Sequence, residues 1–126
     1  IVSLGVPPER VAVLGNTKFD ESAQPLDDDA RAALRADLGI PPGVPVLVCG
    51  STRESKSGGE DEEAPIARAV ARIRQRFPDL RVVVAPRHRE RADAAAAPFP
   101  GAARRSRGEH GPDLILDTYG ELARVY

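Results

Sequence analysis

Three short polar motifs each follow an apolar run in this 126-residue chain. Gly50-Ser51-Thr52 follows VPVLVC, Arg87-His88 follows LRVVVAP, and Thr118-Tyr119-Gly120-Glu121 follows DLILD. Their residue types suit an anion. A glycine turn lets backbone N–H groups approach a phosphate, and the Ser51 and Thr52 hydroxyls add donors. The planar fork of Arg87 recognises phosphate or carboxylate through two parallel bonds, and Pro86 fixes the direction in which it leaves the chain. Glu121 has the chemistry to hold a ribose hydroxyl.

Each motif also has a structural reading. Gly50-Ser51-Thr52 reads equally as a tight turn whose hydroxyls cap a helix. His88 reads as a neutral imidazole bonded to backbone, since no second histidine lies near enough in sequence to suggest a metal. Thr118-x-x-Glu121 has the spacing of a capping box, in which hydroxyl and carboxylate satisfy helix-start N–H groups reciprocally. Gly120 in a first helical turn would cost about 1 kcal/mol relative to alanine, which suggests close approach of another group. Arg89 and Arg91, and the tract Arg104, Arg105 and Arg107, read as solvated faces, with Arg91 also placed to pair with a carboxylate. His110 reads as exposed. The sequence contains no nucleophile–base pair, no metal ligand set and no P-loop, so no catalytic or metal residue is assigned.

The motifs need elements that bring them together, and the apolar patterning supplies these. VAVL at 11–14, VPVLVC at 44–49, LRVVVA at 80–85 and DLILD at 113–117 have strand length and β-branched content. Continuous apolar runs such as VPVLVC suit strands covered on both faces. Residues 27–39 and 63–77 carry apolar stripes at helical spacing: Ala30, Ala33, Leu34 and Leu38 in the first, and Ile66, Val70, Ile73 and Phe77 in the second. RERADAAAA adds a helix ending at Pro98, residues 102–105 a weak edge strand, and YGELARVY a last helix start. Strands separated by single helices predict an α/β fold: a Rossmann-like open parallel sheet with flanking helices. In such a sheet ligands bind beyond the carboxyl ends of the strands, where all three motifs fall.

Bulk properties narrow the partners. A net charge of -1 argues against a dedicated nucleic-acid binder. No apolar stretch approaches the ~20 residues of a membrane span. Aromatic content is 4%, so the core must be built from Val, Leu, Ile and Ala. The single cysteine, Cys49, lies within an apolar run and reads as a buried, inert thiol. The acidic tract after Thr52, SKSGGEDEE, reads as a solvated loop leading into a helix, with no chemistry assigned. The chain opens mid-pattern without an initiator Met and is read as a piece of a longer protein.

Taken together, the motifs resemble those of the bacterial 3-deoxy-D-manno-octulosonic acid (Kdo) transferases. The matching residues are Gly15, Asn16, Lys18, Phe19 and Asp20 in GNxKFD, then Pro86, Arg87, His88, Glu90 and Arg91 in PRHxER. Asp117, Thr118, Gly120, Glu121 and Leu122 follow in DTxGEL. The resemblance implies a two-domain GT-B glycosyltransferase that moves Kdo from CMP-Kdo to a lipid A precursor in lipopolysaccharide synthesis, without metal or cofactor. Residues 1–26 would be interdomain linker and 27–126 part of the C-terminal, nucleotide-binding domain. Gly50, Ser51, Thr52, Arg87, His88, Thr118, Gly120 and Glu121 would hold the donor nucleotide. The acceptor, the catalytic carboxylate and a peripheral association with the cytoplasmic face of the inner membrane would belong to the missing N-terminal domain. The chain departs from the family pattern in Arg53 and the apparent insertion SKSGGED, and in a short stretch between PRHRER and LILDT. Two other readings remain: a different nucleotide-sugar enzyme, such as an epimerase-like protein using a UDP-sugar, and a non-catalytic Rossmann-like nucleotide-binding module.

Overall fold

A computed structural model describes residues 2–12 and 25–126. The GNTKFD motif and the second half of VAVL lie outside the described residues; Val11 and Ala12 are not in a strand. From residue 25 onward the elements are α1 (Asp28–Asp37), β1 (Val46–Thr52), α2 (Glu63–Arg74), β2 (Arg81–Pro86), α3 (Ala92–Ala96), β3 (Ala103–Arg104), β4 (Asp113–Ile115) and α4 (Leu122–Val125). The sheet order is β1-β2-β4-β3 and every pairing is parallel. The fold is therefore the open, Rossmann-like α/β sheet that the alternation predicts.

β2 is one of the two central strands and is covered on both faces. Val82, Val83, Val84 and Ala85 are all at most 5% exposed. Alternate residues feed two cores, as a period of two requires. Val83 and Ala85 pack with Leu38, Ile40, Leu114 and Leu116 on one face. Val82 and Val84 pack with Val70, Leu80, Ala92, Phe99 and Ile115 on the other. The weak edge strand expected near 102–105 is β3, which reaches β4 through a 3-10 turn at Arg105–Arg107 with no intervening α-helix.

α1 starts where Asp27 caps it, its carboxylate accepting the Ala30 N–H at 2.7 Å. That bond satisfies one of the donors left orphaned at a helix start.

Three expectations need correction. β1 is an edge strand, so Val46 to Cys49 are half-buried rather than covered on both faces, and its apolar run does not report a central position. Cys49 is accordingly half-buried, with its thiol pKa pushed up by burial. On α2 the expected stripe is only half used. Val70 is buried, but Ile73 and Phe77 are exposed. Arg74 turns inward in their place. Its fork meets the Asp113 carboxylate at 2.7 and 3.1 Å, and Nη2 also donates to the Leu80 carbonyl at 3.0 Å. One guanidinium thus ties the end of α2 to the starts of β2 and β4.

Candidate functional site

β1 does not end cleanly. Gly50 pairs with Ala85 and Thr52 with Pro86, so Ser51 is the extra residue of a bulge. Its φ of 60° places a non-glycine residue in the left-handed region, a conformation that persists only where the surroundings impose it. Gly50 answers to packing. A Cβ there would strike the Tyr126 hydroxyl and the Leu122 side chain.

The surroundings that fix the bulge are polar and mostly buried. The Thr52 hydroxyl donates to Glu63 Oε1 at 2.6 Å. The Thr52 carbonyl accepts the Arg87 N–H at 2.8 Å and Arg91 Nη1 at 3.3 Å. Arg91 grips Glu63 through both forks, Nη1 to Oε1 at 2.9 Å and Nη2 to Oε2 at 3.0 Å, and Nη2 also meets Asp61 Oδ2 at 3.0 Å. Its Nε lies 3.2 Å from Glu54. The Glu63 side chain is 1% exposed. Burial alone would push its carboxyl up, but the bonds from Arg91 and Thr52 hold it below the usual carboxylate range. These interactions correct the reading of Arg91 as part of a solvated face and of the acidic tract as free loop. Asp61 and Glu62 accept the Ser55 and Arg53 backbone N–H groups, each at 2.9 Å, so the tract folds back on itself.

Arg87 behaves differently. Its side chain is exposed and, among the described residues, makes no hydrogen bond or ion pair. His88 is exposed beside it, its carbonyl accepting the Arg91 N–H at 3.0 Å. Arg89 lies over the Tyr119 ring at 5.2 Å, which joins the second motif to the third.

The third motif is held from beneath by two arginines. Asp117, with a side chain 4% exposed, accepts Arg104 Nε and Nη2 at 3.0 and 2.9 Å. It also accepts the Ser106 N–H at 2.8 Å and hydroxyl at 2.6 Å. Those bonds outweigh the cost of burial and hold its carboxyl below the usual range. Arg104 also pairs with Asp93. Arg105 bonds Glu121 Oε1 at 2.8 Å and pairs with Asp37. The basic tract is therefore not solvated at Arg104 and Arg105; only Arg107 is exposed. The capping box does not form. α4 starts at Leu122, and the Thr118 hydroxyl donates to the Glu121 carboxylate itself. Gly120 accounts for the late start. Its φ of 81° lies outside any helix, and a Cβ there would meet no atom within 4 Å, so backbone conformation, not crowding, calls for glycine.

The eight residues singled out in the sequence thus sit at one sheet edge with different duties. Ser51, Arg87, His88 and Gly120 are open to solvent. Thr52 is 3% exposed and committed to Glu63, while Thr118 and Glu121 are half-buried and bonded to each other, and Gly50 is half-buried under Leu122 and Tyr126. Sequence reasoning missed Glu63 and Asp61. The signal was available: in a parallel sheet the helix following β1 begins beside the carboxyl end of β2, so an acidic start on α2 faces an arginine after β2. Three clefts, of about 570, 490 and 390 Å³, border α1; the first is also lined by Ala123 to Tyr126 and the third by Glu121, so two of them adjoin the third motif.

No family model matches the chain. Among solved structures it is similar to the C-terminal CMP-Kdo binding domain of WaaA from Acinetobacter baumannii, with a TM-score of 0.59 and 26% sequence identity. The match covers 75% of this chain and 49% of that one, so the chain spans about half the length of the structure it matches. The resemblance to the Kdo transferases carried by the motifs is thereby carried by the fold as well.

Proposed function

We propose that this chain binds the donor CMP-Kdo at the carboxyl edge of its sheet and is the donor-binding part of a GT-B glycosyltransferase. In this reading the full protein moves Kdo to a lipid A precursor at the cytoplasmic face of the inner membrane. The observation that carries the proposal is the contrast at one edge: the Arg87 side chain is exposed and without a partner among the described residues, while its backbone N–H is bonded to the pinned Thr52 carbonyl. The likeness in fold to a CMP-Kdo binding domain supports the class of donor.

The chemistry asked of the edge is limited. Transfer breaks the bond between the CMP phosphate oxygen and the anomeric carbon of Kdo and forms one to an acceptor hydroxyl. Negative charge collects on the departing phosphate. A fixed cation and backbone donors stabilise that charge more in the transition state than in the ground state. In this reading Arg87 supplies the cation, and Ser51 and Gly120, also exposed at the carboxyl ends of the strands, supply further donors. No metal or cofactor is required for this step. The acceptor, the base that takes its proton and the membrane contact are assigned to the other domain.

Calorimetric titration of CMP into the intact protein tests the reading. CMP is expected to bind in preference to UMP and UDP. Arg87→Ala should weaken CMP binding by about 1.5–3 kcal/mol, the range for a hydrogen bond to a charged group, with the urea midpoint unchanged. Preference for UDP or a UDP-sugar would favour the other nucleotide-sugar enzyme. Binding of CMP without Kdo transfer would favour the non-catalytic module.

A further inference from the structure

Arg91 is the most heavily engaged side chain at the edge, yet it does not face the open surface. It touches four groups: the Thr52 carbonyl, the Glu63 carboxylate, Asp61 and Glu54. Each belongs to the bulge or to the segment that follows it. Thr52 is held from both ends, its hydroxyl by Glu63 and its carbonyl by Arg91 and the Arg87 N–H. Asp61 passes the constraint on to the Ser55 N–H. The residue between these anchors and the regular ladder is Ser51, at a φ of 60°.

We infer that Arg91 is a positioning residue for the nucleotide site: through Glu63 and Thr52 it holds Ser51 left-handed, so that the turn keeps its donors aimed beside Arg87. Without the clamp, a serine returns to the extended or right-handed backbone it prefers, and the donors turn away. Arg87 and Arg91 then divide the labour within one motif. The first meets the ligand, and the second builds the turn that meets it. The inference rests on the proposed nucleotide site, but the clamp itself is observable without a ligand.

The test uses Arg91→Lys in the intact protein. Lysine keeps a cation against Glu63 but loses the fork that reaches Glu63, Thr52 and Asp61 together. Two readouts are taken. Amide hydrogen exchange at residues 50–55 reports the clamp in the absence of nucleotide, and the Arg53 and Ser55 amides are expected to lose protection. Calorimetric titration reports the site, and the Kd for CMP is expected to rise about tenfold, equivalent to one charge-assisted hydrogen bond. Ser51→Gly separates positioning from general stability, because glycine reaches positive φ freely. In a Ser51→Gly background, Arg91→Lys should weaken CMP binding by less than about twofold, a clear departure from additivity, while still lowering the urea midpoint. An equal loss of affinity in both backgrounds, or a folded Arg91→Lys that binds CMP like the parent, overturns the inference. If the parent does not bind CMP, the proposed function falls instead. Exchange alone then decides the clamp, with unchanged protection at 50–55 rejecting it.

Discussion

Arg87 and Arg91 are four residues apart and leave the same strand end, yet their surroundings are opposite. Arg87 projects into solvent with no partner among the described residues. Arg91, with a side chain 14% exposed, is enclosed by three carboxylates and a carbonyl. The same contrast recurs across the edge, where Arg104 and Arg105 are engaged with Asp117 and Glu121 while Arg107 is exposed. Arg91, Arg104 and Arg105 are internal fasteners of this edge, while Arg53, Arg87, Arg89 and Arg107 are exposed. Arg89 stacks on Tyr119 and Arg107 lies 4.0 Å from Glu109, which leaves Arg53 and Arg87 without a side-chain partner among the described residues. A cation left free beside turns that are otherwise tightly bonded is where an external anion adds a bond instead of displacing one.

The sharpest way to break the contrast is to remove the enclosed member. Arg91→Ala leaves Glu63 buried without its counter-ion. Stranding one partner of a buried pair costs about 3–5 kcal/mol, so the urea midpoint should drop steeply. Arg87→Ala should leave that midpoint in place. Equal stability losses in the two variants would show that Arg87 too is a fastener, and the assignment of the ligand contact would fail.

Acid should act on the same contrast in a graded way. Glu63 and Asp117 have carboxyl pKa values held below their ordinary values of 4.5 and 3.8. A depressed folded-state pKa contributes stability that is present above the ordinary value and is lost as pH falls through the folded value. Stability is therefore expected to hold from neutral pH down to about 4.5 and to decline below it. In Glu63→Gln the part of that decline due to Glu63 should vanish, leaving a shallower slope in denaturation curves taken between neutral and acid pH. An unchanged slope would mean that Glu63 is not ionised against Arg91.

How much of this was legible depends on the range of the interaction. β2 and α2 follow from local patterning, and so does the convergence of three polar motifs on one edge, because parallel topology puts every strand's carboxyl end on the same side. The position of β1 did not follow. An apolar run such as VPVLVC states that a strand is wanted, but not whether it lies at the centre or the rim. The ionic ties are legible only through the topology, which brings the acidic start of α2 against the end of β2, and local pattern alone does not show them. Arg91 and Glu63 are 28 residues apart, and Arg74 and Asp113 are 39 apart. An arginine looks the same in sequence whether its partner is water or a carboxylate delivered by another element. Gly120 shows a third limit: its identity was visible, but crowding and backbone conformation predict the same glycine, and only the φ of 81° distinguishes them.

Arg89 provides the finest discrimination, because it stands between the two extremes. It is exposed like Arg87, but its guanidinium lies over the Tyr119 ring at 5.2 Å and its Nε is 3.8 Å from Glu90. A cation over an exposed aromatic ring contributes about 0.5–1 kcal/mol, and an exposed ion pair at that separation adds little. Arg89→Ala should therefore lower stability by no more than about 1 kcal/mol. Its effect on CMP should be smaller still, since the stacking already occupies the side chain that would have to reach the phosphate. Titration of CMP into Arg89→Ala beside Arg87→Ala reads the difference directly. If Arg89→Ala loses as much affinity as Arg87→Ala, the ligand senses the summed positive field of the segment. The edge would then be a diffuse basic surface, and the distinction between a free arginine and a stacked one would carry no functional meaning.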